Sequence, residues 1–435
     1  MPSPETDERD YQRTINAWAI YDWANSAFAV IILTAVFPVY YRALVINAGR
    51  SPADATAYWA YTTSVSMLLV AVVGPVLGAM ADIVGGRKRF LVLALALGVL
   101  GSAGLAFLGE KTFVIGSLIF AIANFGFAGG NIFYESLLPH VARPNDIDRV
   151  SALGYALGYL GGGLLLIINA LWLFRPDWFW MPDRGFALRA SFVSVALWWL
   201  VFALPLFRNV REPAGGEQSR SSLSIISDAF QRLAHTLSQI RRYRQLALFL
   251  LAFWLYNDGI NTIIKIATAY GDEIGINHNH MLLALVLTQL VGFPSTLGFG
   301  ALSGTLGPKG AIFVGLASYV VISIAGFFMK SVWHFYVLAV GVGLVQGGTQ
   351  ALSRSLFATM VPKTRSGEFF GFFSTGEKFA GIIGPAIFGF AGQLMGSSRW
   401  GIISVTLLFV VGAAVLWRVD EQEGRSAAAT AATVA

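Results

Sequence analysis

The 435-residue chain contains no cysteine. Disulfides, thiolate metal sites and a cysteine nucleophile are excluded at once. Charged residues make up only 12% of the sequence, about half the share usual in a soluble globular domain. Also missing are a phosphate-cradling Gly-Lys-Ser/Thr loop, an His-Glu-x-x-His helix and a Gly-x-Ser-x-Gly elbow, which argues against ATP-driven transport and hydrolysis within this chain. Glycine-rich runs occur only inside apolar stretches and not after a strand, so they are not dinucleotide fingerprints. No cofactor and no metal are expected. The first residues carry Glu5, Asp7, Glu8 and Asp10 in place of a basic leader, so the first apolar segment is expected to stay as a helix.

What fills the chain is apolar. Hydrophobic residues account for 56% and the mean hydropathy is +0.64. The net charge of +6 would suggest nucleic acid in a soluble protein, but here the basic residues lie in loops and nucleic acid is not expected. A bilayer core takes about 20 apolar residues per helix. Twelve such runs are read, near residues 15–41, 58–81, 90–109, 112–138, 150–174, 189–207, 245–270, 281–303, 310–329, 332–359, 367–395 and 400–418. The expected fold class is an all-α membrane protein with twelve transmembrane helices in two pseudo-symmetric six-helix bundles. Residues 1–207 form the first bundle, 208–244 a cytoplasmic linker, and 245–435 the second bundle with a short disordered tail. Lys and Arg are in excess in the loops on the side of the termini, which predicts cytoplasmic termini and, in a bacterium, the plasma (inner) membrane.

The linker opens with Pro213, Gly215 and Gly216 and then turns periodic. Leu223, Ile226, Phe230, Leu233, Leu237 and Ile240 recur at steps of three and four, with Arg232, His235, Arg241 and Arg242 on other faces or at the end. An amphipathic helix lying on the inner leaflet is expected, in contact with membrane lipids; a partner-binding segment is the alternative.

One motif occurs twice. Asp22-Trp23-Ala24-Asn25-Ser26 lies in the first apolar run, and Asp258-Gly259-Ile260-Asn261-Thr262 lies in the seventh. A carboxylate at membrane depth costs roughly 2.5–3.5 kcal/mol on insertion scales, so one in each half is a functional-site hypothesis by default. Asp22 and Asn25 share a helical face, as do Asp258, Asn261 and Lys265. Asn124, Asn131 and Glu135 line one side of the fourth run; Gln346, Gln350 and Arg354 line one side of the tenth. Two opposed polar walls follow. Amides donate and accept, Arg354 can clamp a carboxylate, and Asp22 or Asp258 an ammonium group. Lys265 stands seven residues beyond Asp258, whereas Asp22 has no similar companion, so Asp22 is the stronger candidate for proton coupling and Asp258 for substrate or gate contacts.

Each reading has a plainer counterpart. Glu135 and Arg354 lie near the cytoplasmic ends of their helices, where a gate salt bridge is favoured over ligand binding. Glu377 and Lys378 are candidate cavity residues, or an acid–base pair with a purely structural role. Trp18, Trp23, Trp254 and Tyr256 either stack on substrate or serve packing and interfacial anchoring. The glycines of the fifth and eleventh runs, Gly154, Gly158, Gly161 to Gly163 and Gly371, Gly376, Gly381, Gly384 and Gly389, permit close approach and bending alike.

Between the second and third runs stands Gly78-Ala79-Met80-Ala81-Asp82-Ile83-Val84-Gly85-Gly86-Arg87-Lys88-Arg89. It resembles the Gly-x-x-x-Asp-x-x-Gly-Arg-Lys loop of the major facilitator superfamily, departing at Ile83 and through the extra Gly86. The glycines allow a tight reversal, Asp82 can cap or attract a neighbouring helix N-terminus, and Arg87 and Lys88 are expected to anchor the turn at the headgroups. Gly78, Asp82, Gly85, Arg87 and Lys88 are thus gating candidates, with Glu135 and Arg354. A worn copy, Gly300 to Lys309, has Gly304 in place of the Asp.

A narrower resemblance covers most of the chain. Tyr21 to Phe28 followed by Phe37-Pro38-Val39-Tyr40, then Gly154 to Gly163, then Gly347 to Phe357, are similar to patterns of the vacuolar amino-acid effluxer family, the autophagy-related permeases, and its bacterial relatives. The resemblance implies the major facilitator fold and a secondary permease, with neutral amino acids as the family's substrate. The expected function is movement of a small polar solute by alternating access, coupled to protons, by a monomer that is not an enzyme. A lipid flippase or channel-like facilitator is the first alternative and a non-transporting membrane sensor the second.

Overall fold

The computed structural model describes residues 4–109, 112–212, 228–231, 233–234, 243–395 and 397–434, apart from some side chains within those stretches. Helix dominates, and no strand occurs among the described residues. The long helices are Pro4–Ala27, Pro52–Val84, Arg87–Gly104, Phe113–Ser136, Ile147–Phe174, Arg184–Asn209, Arg244–Glu273, His278–Phe327, Val332–Met360, Ser366–Met395 and Ser398–Trp417. Most bounds follow the apolar runs closely; the first run instead spans the end of Pro4–Ala27, a π-helix Phe28–Ala35 and the start of Phe37–Asn47, and the runs expected at 281–303 and 310–329 fall in one helix, His278–Phe327. Ten helices among the described residues are long and apolar enough to cross a membrane. One of these, Asn279–Phe327, changes direction within its length, because Gly307 has φ 72° and ψ 161°.

Local chemistry sets the ends. Asp183 accepts the Phe186 amide at 2.7 Å and caps Arg184–Asn209; Ser331 and Ser397 cap the helices that begin at Val332 and Ser398. Gly85 has φ 68° and Gly307 has φ 72°, the left-handed region where a Cβ is strained. These are corresponding positions of the loop and its worn copy. The reversal was readable from glycine order alone.

The contacts divide the chain into two compact units. One comprises Met1–Val73, Gly86–Tyr134 and Leu157–Glu212; the other comprises Gly74–Gly85, Glu135–Ala156 and Pro213–Ala435. In the first, Trp199 is fully buried beside Phe28 and Phe127, and a Cβ on Gly98 would strike its ring. Gly126 meets the Gly98 backbone. Small residues thus bring helices together where no bulk hydrophobic drive exists in lipid. In the second unit Phe253 stacks on Phe373 at 4.1 Å, and Gly348 accommodates the ring of Phe299.

Two expectations change. The tail is not disordered: Glu421–Val434 is a helix, held where Gln245 accepts the Asp420 amide at 2.9 Å and donates to Glu423 at 2.6 Å. Of the linker, most lies outside the described residues. In the short described part, Ala229 and Leu233 are buried with Ala79 beside Val76, Met80, Ile83 and Phe372, while Phe230 is exposed. There Leu233 rests on protein.

Candidate functional site

In the first unit the repeated motif faces the Phe113–Ser136 helix. The Tyr134 hydroxyl donates to Asp22 Oδ2 at 2.9 Å, and Asn25 Nδ2 donates to Asn131 Oδ1 at 2.7 Å. Trp18 donates its indole N–H to the Tyr134 carbonyl at 3.1 Å and stacks on the Tyr134 ring at 4.5 Å. Asp22 is half-buried and Asn25 is buried. Asn124, one stripe position away from Asn131, instead donates to Ser66 at 2.8 Å in a buried pair. The single wall expected along Asn124, Asn131 and Glu135 is therefore three separate environments, since residues seven apart on a helix drift around its axis and meet different neighbours.

In the second unit Asp258 is 1% exposed. Its Oδ2 accepts the backbone N–H of Gly384 at 2.6 Å, within the Ser366–Met395 helix and just before Pro385. Asn257, next to it, accepts from Gln350 Nε2 at 3.3 Å. Asn261 and Gln346 are half-buried and Lys265 is exposed. Glu377 and Lys378 fall in the Ser366–Met395 helix, but their side chains lie outside the described residues.

The motif's hydroxyl residues find a shared purpose. A Cβ on Gly158 would meet Ser26 Oγ at 2.6 Å, and a Cβ on Gly384 would strike Thr262 Oγ1. In each half the Ser or Thr packs on a glycine of the partner helix. Gly161 likewise receives Trp23, and Gly376 receives Trp254. Of the aromatic candidates, Trp18 and Tyr256 are fully buried, Tyr256 shares a 2.6 Å hydrogen bond with Ser353, and Trp23, which stacks on Trp198 at 5.6 Å, and Trp254 are half-buried.

Arg354 is committed to protein. Its side chain is 1% exposed, Nε donates to Ser151 Oγ at 3.0 Å, Nη2 donates to the Ser151 carbonyl at 2.9 Å, and the guanidinium lies 4.3 Å from the centre of the Tyr155 ring. Glu135 completes the cluster with Oε1 at 3.9 Å from Nη1. Such a set of donors and a stacking ring satisfies a planar cation on several sides. It leaves little of Arg354 to clamp a substrate carboxylate.

The loop supplies a second cluster. Asp82 Oδ1 accepts the Gly367 amide at 3.0 Å and Oδ2 the Glu368 amide at 2.8 Å. These belong to the first turn of Ser366–Met395, where amides lack an intrahelical partner and the helix dipole favours an anion. Gly78 lies so close to the Gly367 carbonyl that no Cβ fits there. The cations do not reach for headgroups as expected. Arg87 is buried, and Lys88 Nζ donates to the carbonyls of Phe207 and Val210 at 2.7 and 2.8 Å, at the end of Arg184–Asn209. Carbonyls left over at a helix C-terminus hold an ammonium more firmly than a mobile lipid does. Lys309 does the same in the worn copy, donating to Trp417 at 3.1 Å and Val419 at 2.7 Å.

Residue patterns missed Tyr134, Asn257, Ser151 and Tyr155. Tyr134 stands three residues beyond Asn131, and Ser151 and Tyr155 are four apart, so helical spacing carried a signal; nothing in it pointed to a carboxylate or a guanidinium on a distant helix.

Apolar helices reversed by left-handed glycines, with a loop carboxylate capping a helix, are what the major facilitator resemblance implies. Solved structures agree on the fold. The chain is similar to the transporter FucP in the outward conformation (TM-score 0.68, 12% identity, 94% of this chain and 98% of that one) and to the proton:xylose symporter XylE (TM-score 0.69, 14% identity, 96% of each). Within that class the chain belongs to the family described as "Vacuole effluxer Atg22 like", whose profile matches residues 10–429. A relative in Bacillus subtilis (strain 168), described as an uncharacterized MFS-type transporter, YxiO, is 37% identical over 94% of this chain and 95% of its own length. Autophagy-related protein 22 of Yarrowia lipolytica is 22% identical over 88% of this chain and 78% of its own. The protein is a multi-pass membrane transporter for a small molecule, in a family of transporters and not of enzymes.

Proposed function

We propose that this protein is a secondary active transporter that moves a small polar solute, with neutral amino acids as the leading class, by alternating access coupled to protons. It works as a monomer with both termini in the cytoplasm, in the plasma (inner) membrane if the source is a bacterium. The observation that carries the reading is the repeated Asp-x-x-Asn-Ser/Thr helix: each half retains a carboxylate and an amide in an apolar span, at sites where packing alone would be served by small apolar residues. The half-buried Asp22, with Asn25, Asn131 and Tyr134, offers acceptors for an ammonium group and donors for a carboxylate. The name of the family, a vacuole effluxer, supports a solute-exporting ancestry. The Asp82 cap and the Arg354 cluster act as latches that alternating access must break.

A ligand screen by thermal shift on the purified protein tests the reading. A ligand selective for the folded state stabilises it by about 2.7 kcal/mol at a concentration of 100 Kd. Neutral amino acids raise the unfolding temperature, and peptides, sugars and organic acids do not. Stabilisation by phospholipid alone, with lipid transfer between leaflets in liposomes, replaces this reading with the flippase.

A further inference from the structure

Two oxygens in the second unit have no hydrogen-bond partner among the described residues although water cannot reach them. They are Asp258 Oδ1 and Thr262 Oγ1, each on a residue 1% exposed. Both point at one spot, since a Cβ built on Gly384 would strike Thr262 Oγ1 and lie 2.9 Å from Asp258 Oδ1. The other carboxylate oxygen is already satisfied by the Gly384 amide at 2.6 Å. A carboxylate sealed from water, with one amide and one hydroxyl facing it, is in an expensive state if it is ionised, because the charge then sits in an apolar setting. It is an ordinary state if a proton sits on the bare oxygen, for the acid then donates to the hydroxyl four residues along its own helix.

A metal ion does not fit the same place. Hard cations take about six or more oxygen ligands, and here two oxygens press against a glycine backbone; no cluster of metal-ligating side chains occurs among the described residues. Helix geometry gives the proton a mechanical consequence. Pro385 has no N–H and removes one in-helix hydrogen bond, so Ser366–Met395 is already weakened where Asp258 holds it.

We infer that Asp258 is a proton-binding site: its carboxyl is protonated on Oδ1, donates to Thr262 Oγ1, and clasps the Gly384 amide at the proline break of the neighbouring helix. Release of that proton to water leaves a carboxylate that the apolar packing around Gly384 no longer accommodates, and the clasp on Ser366–Met395 opens. The inference rests on the proton-coupled reading and shifts its proton from Asp22, which is half-buried and served by a hydroxyl, to Asp258. Among the described residues the charged group whose field reaches Asp258 is Lys265 on its own helix; the helices packed against it, Val332–Met360, Ser366–Met395 and Ser398–Trp417, bring no second one.

Infrared difference spectroscopy on the purified, full-length protein tests this without any substrate, the titrant being the proton itself. Wild type minus Asp258→Asn is expected to show the carbonyl stretch of one protonated carboxylic acid at neutral pH, lost as the pH rises. Thr262→Val, which keeps the shape and removes the acceptor, is expected to shift that band in an otherwise intact spectrum. Absence of an acid band at neutral pH in the wild-type difference overturns the assignment. So does a band that Thr262→Val leaves in place, which serves equally if Asp258→Asn does not fold. Because no solute is added, failure of the amino-acid screen leaves this result standing, and failure here leaves the screen standing.

Discussion

Asp82→Asn measures how much one loop carboxylate contributes to the closed cluster around Gly367. The two amides it accepts, at 3.0 and 2.8 Å, are first-turn amides with no partner in their own helix. A hydrogen bond to a charged group contributes about 1.5–3 kcal/mol, and an anion at a helix N-terminus about 0.3–1 kcal/mol. Asparagine retains one acceptor oxygen, turns an NH2 toward the second amide, and carries no charge. Loss of one charge-assisted bond, weakening of the other and loss of the dipole term together come to roughly 2–4 kcal/mol. That corresponds to opening about 30-fold to nearly 1,000-fold more often. Hydrogen exchange of a peptide spanning Ser366 to Phe370 reads this directly, because Asp82 is what protects those two amides. The Phe186 amide, capped by Asp183, serves as the internal control and should not change. If Gly367 and Glu368 exchange within about twofold of the wild-type rate, the cap carries no such energy and the latch role of the loop fails.

Further outcomes follow from the same contacts. Arg354→Gln takes the guanidinium away from Glu135 and from two Ser151 oxygens inside the protein and is expected to lower stability by about 3–5 kcal/mol, with part recovered in the Arg354→Gln, Glu135→Gln double variant; thermal unfolding in detergent measures both. Gly384→Ala forces a methyl against Thr262 Oγ1 and Asp258 Oδ1 and should cost about 1–3 kcal/mol, whereas Gly304→Ala, with open space around it, should change little by the same measurement apart from helix propensity. Burial raises the Glu421 carboxyl above its usual value, against the opposing pull of Arg425 and Lys309 and with Asp148 and Asp420 adding to the rise. The docked helix therefore binds that proton more tightly than the free helix does, so docking is strongest at low pH and weakens as pH rises through the docked value. Glu421→Gln should flatten the profile, read as the pH dependence of a spin-label distance from Glu421–Val434 to Val332–Met360.

The sequence made long apolar helices legible because burial in lipid demands unbroken runs, and it made the reversal at Gly85 legible because only glycine takes that backbone angle without strain. It also gave the type of interaction for Asp82, a carboxylate at a helix N-terminus, but not which helix, since the partner amides lie 285 and 286 residues away. Lys88 was read toward headgroups for the same reason: the carbonyls that hold it are 119 and 122 residues distant. Periodicity located faces without saying what stands opposite. Asn124, Asn131 and Glu135 share a stripe, yet a serine, an asparagine and an arginine meet them in turn. Trp18 and Tyr256 looked like cavity residues because an aromatic ring with a polar tip serves a wet surface and a satisfied core equally well.

What the two halves repeat and what they do not repeat separates scaffold from chemistry. Gly85 and Gly307 take the same left-handed turn; Lys88 and Lys309 each hold the last carbonyls of a helix; Ser26 on Gly158 and Thr262 on Gly384 make the same close helix contact. These are needs of any chain that must reverse and pack in lipid, and they survive in both copies. The carboxylates diverge. Asp82 caps a helix, whereas its counterpart Gly304 has no neighbour within 4 Å that a Cβ would meet. Asp22 is half-buried and takes a tyrosine hydroxyl, whereas Asp258 is sealed against a backbone amide. If the proposed alternating access operates, a duplicated scaffold with charges in unlike settings gives its two conformations unequal energy, because an interaction present once cannot be exchanged for its twin when the other conformation forms. On the proposed proton-coupled reading, the carboxylates in unlike settings, and not the shared glycines, are where a gradient biases the cycle.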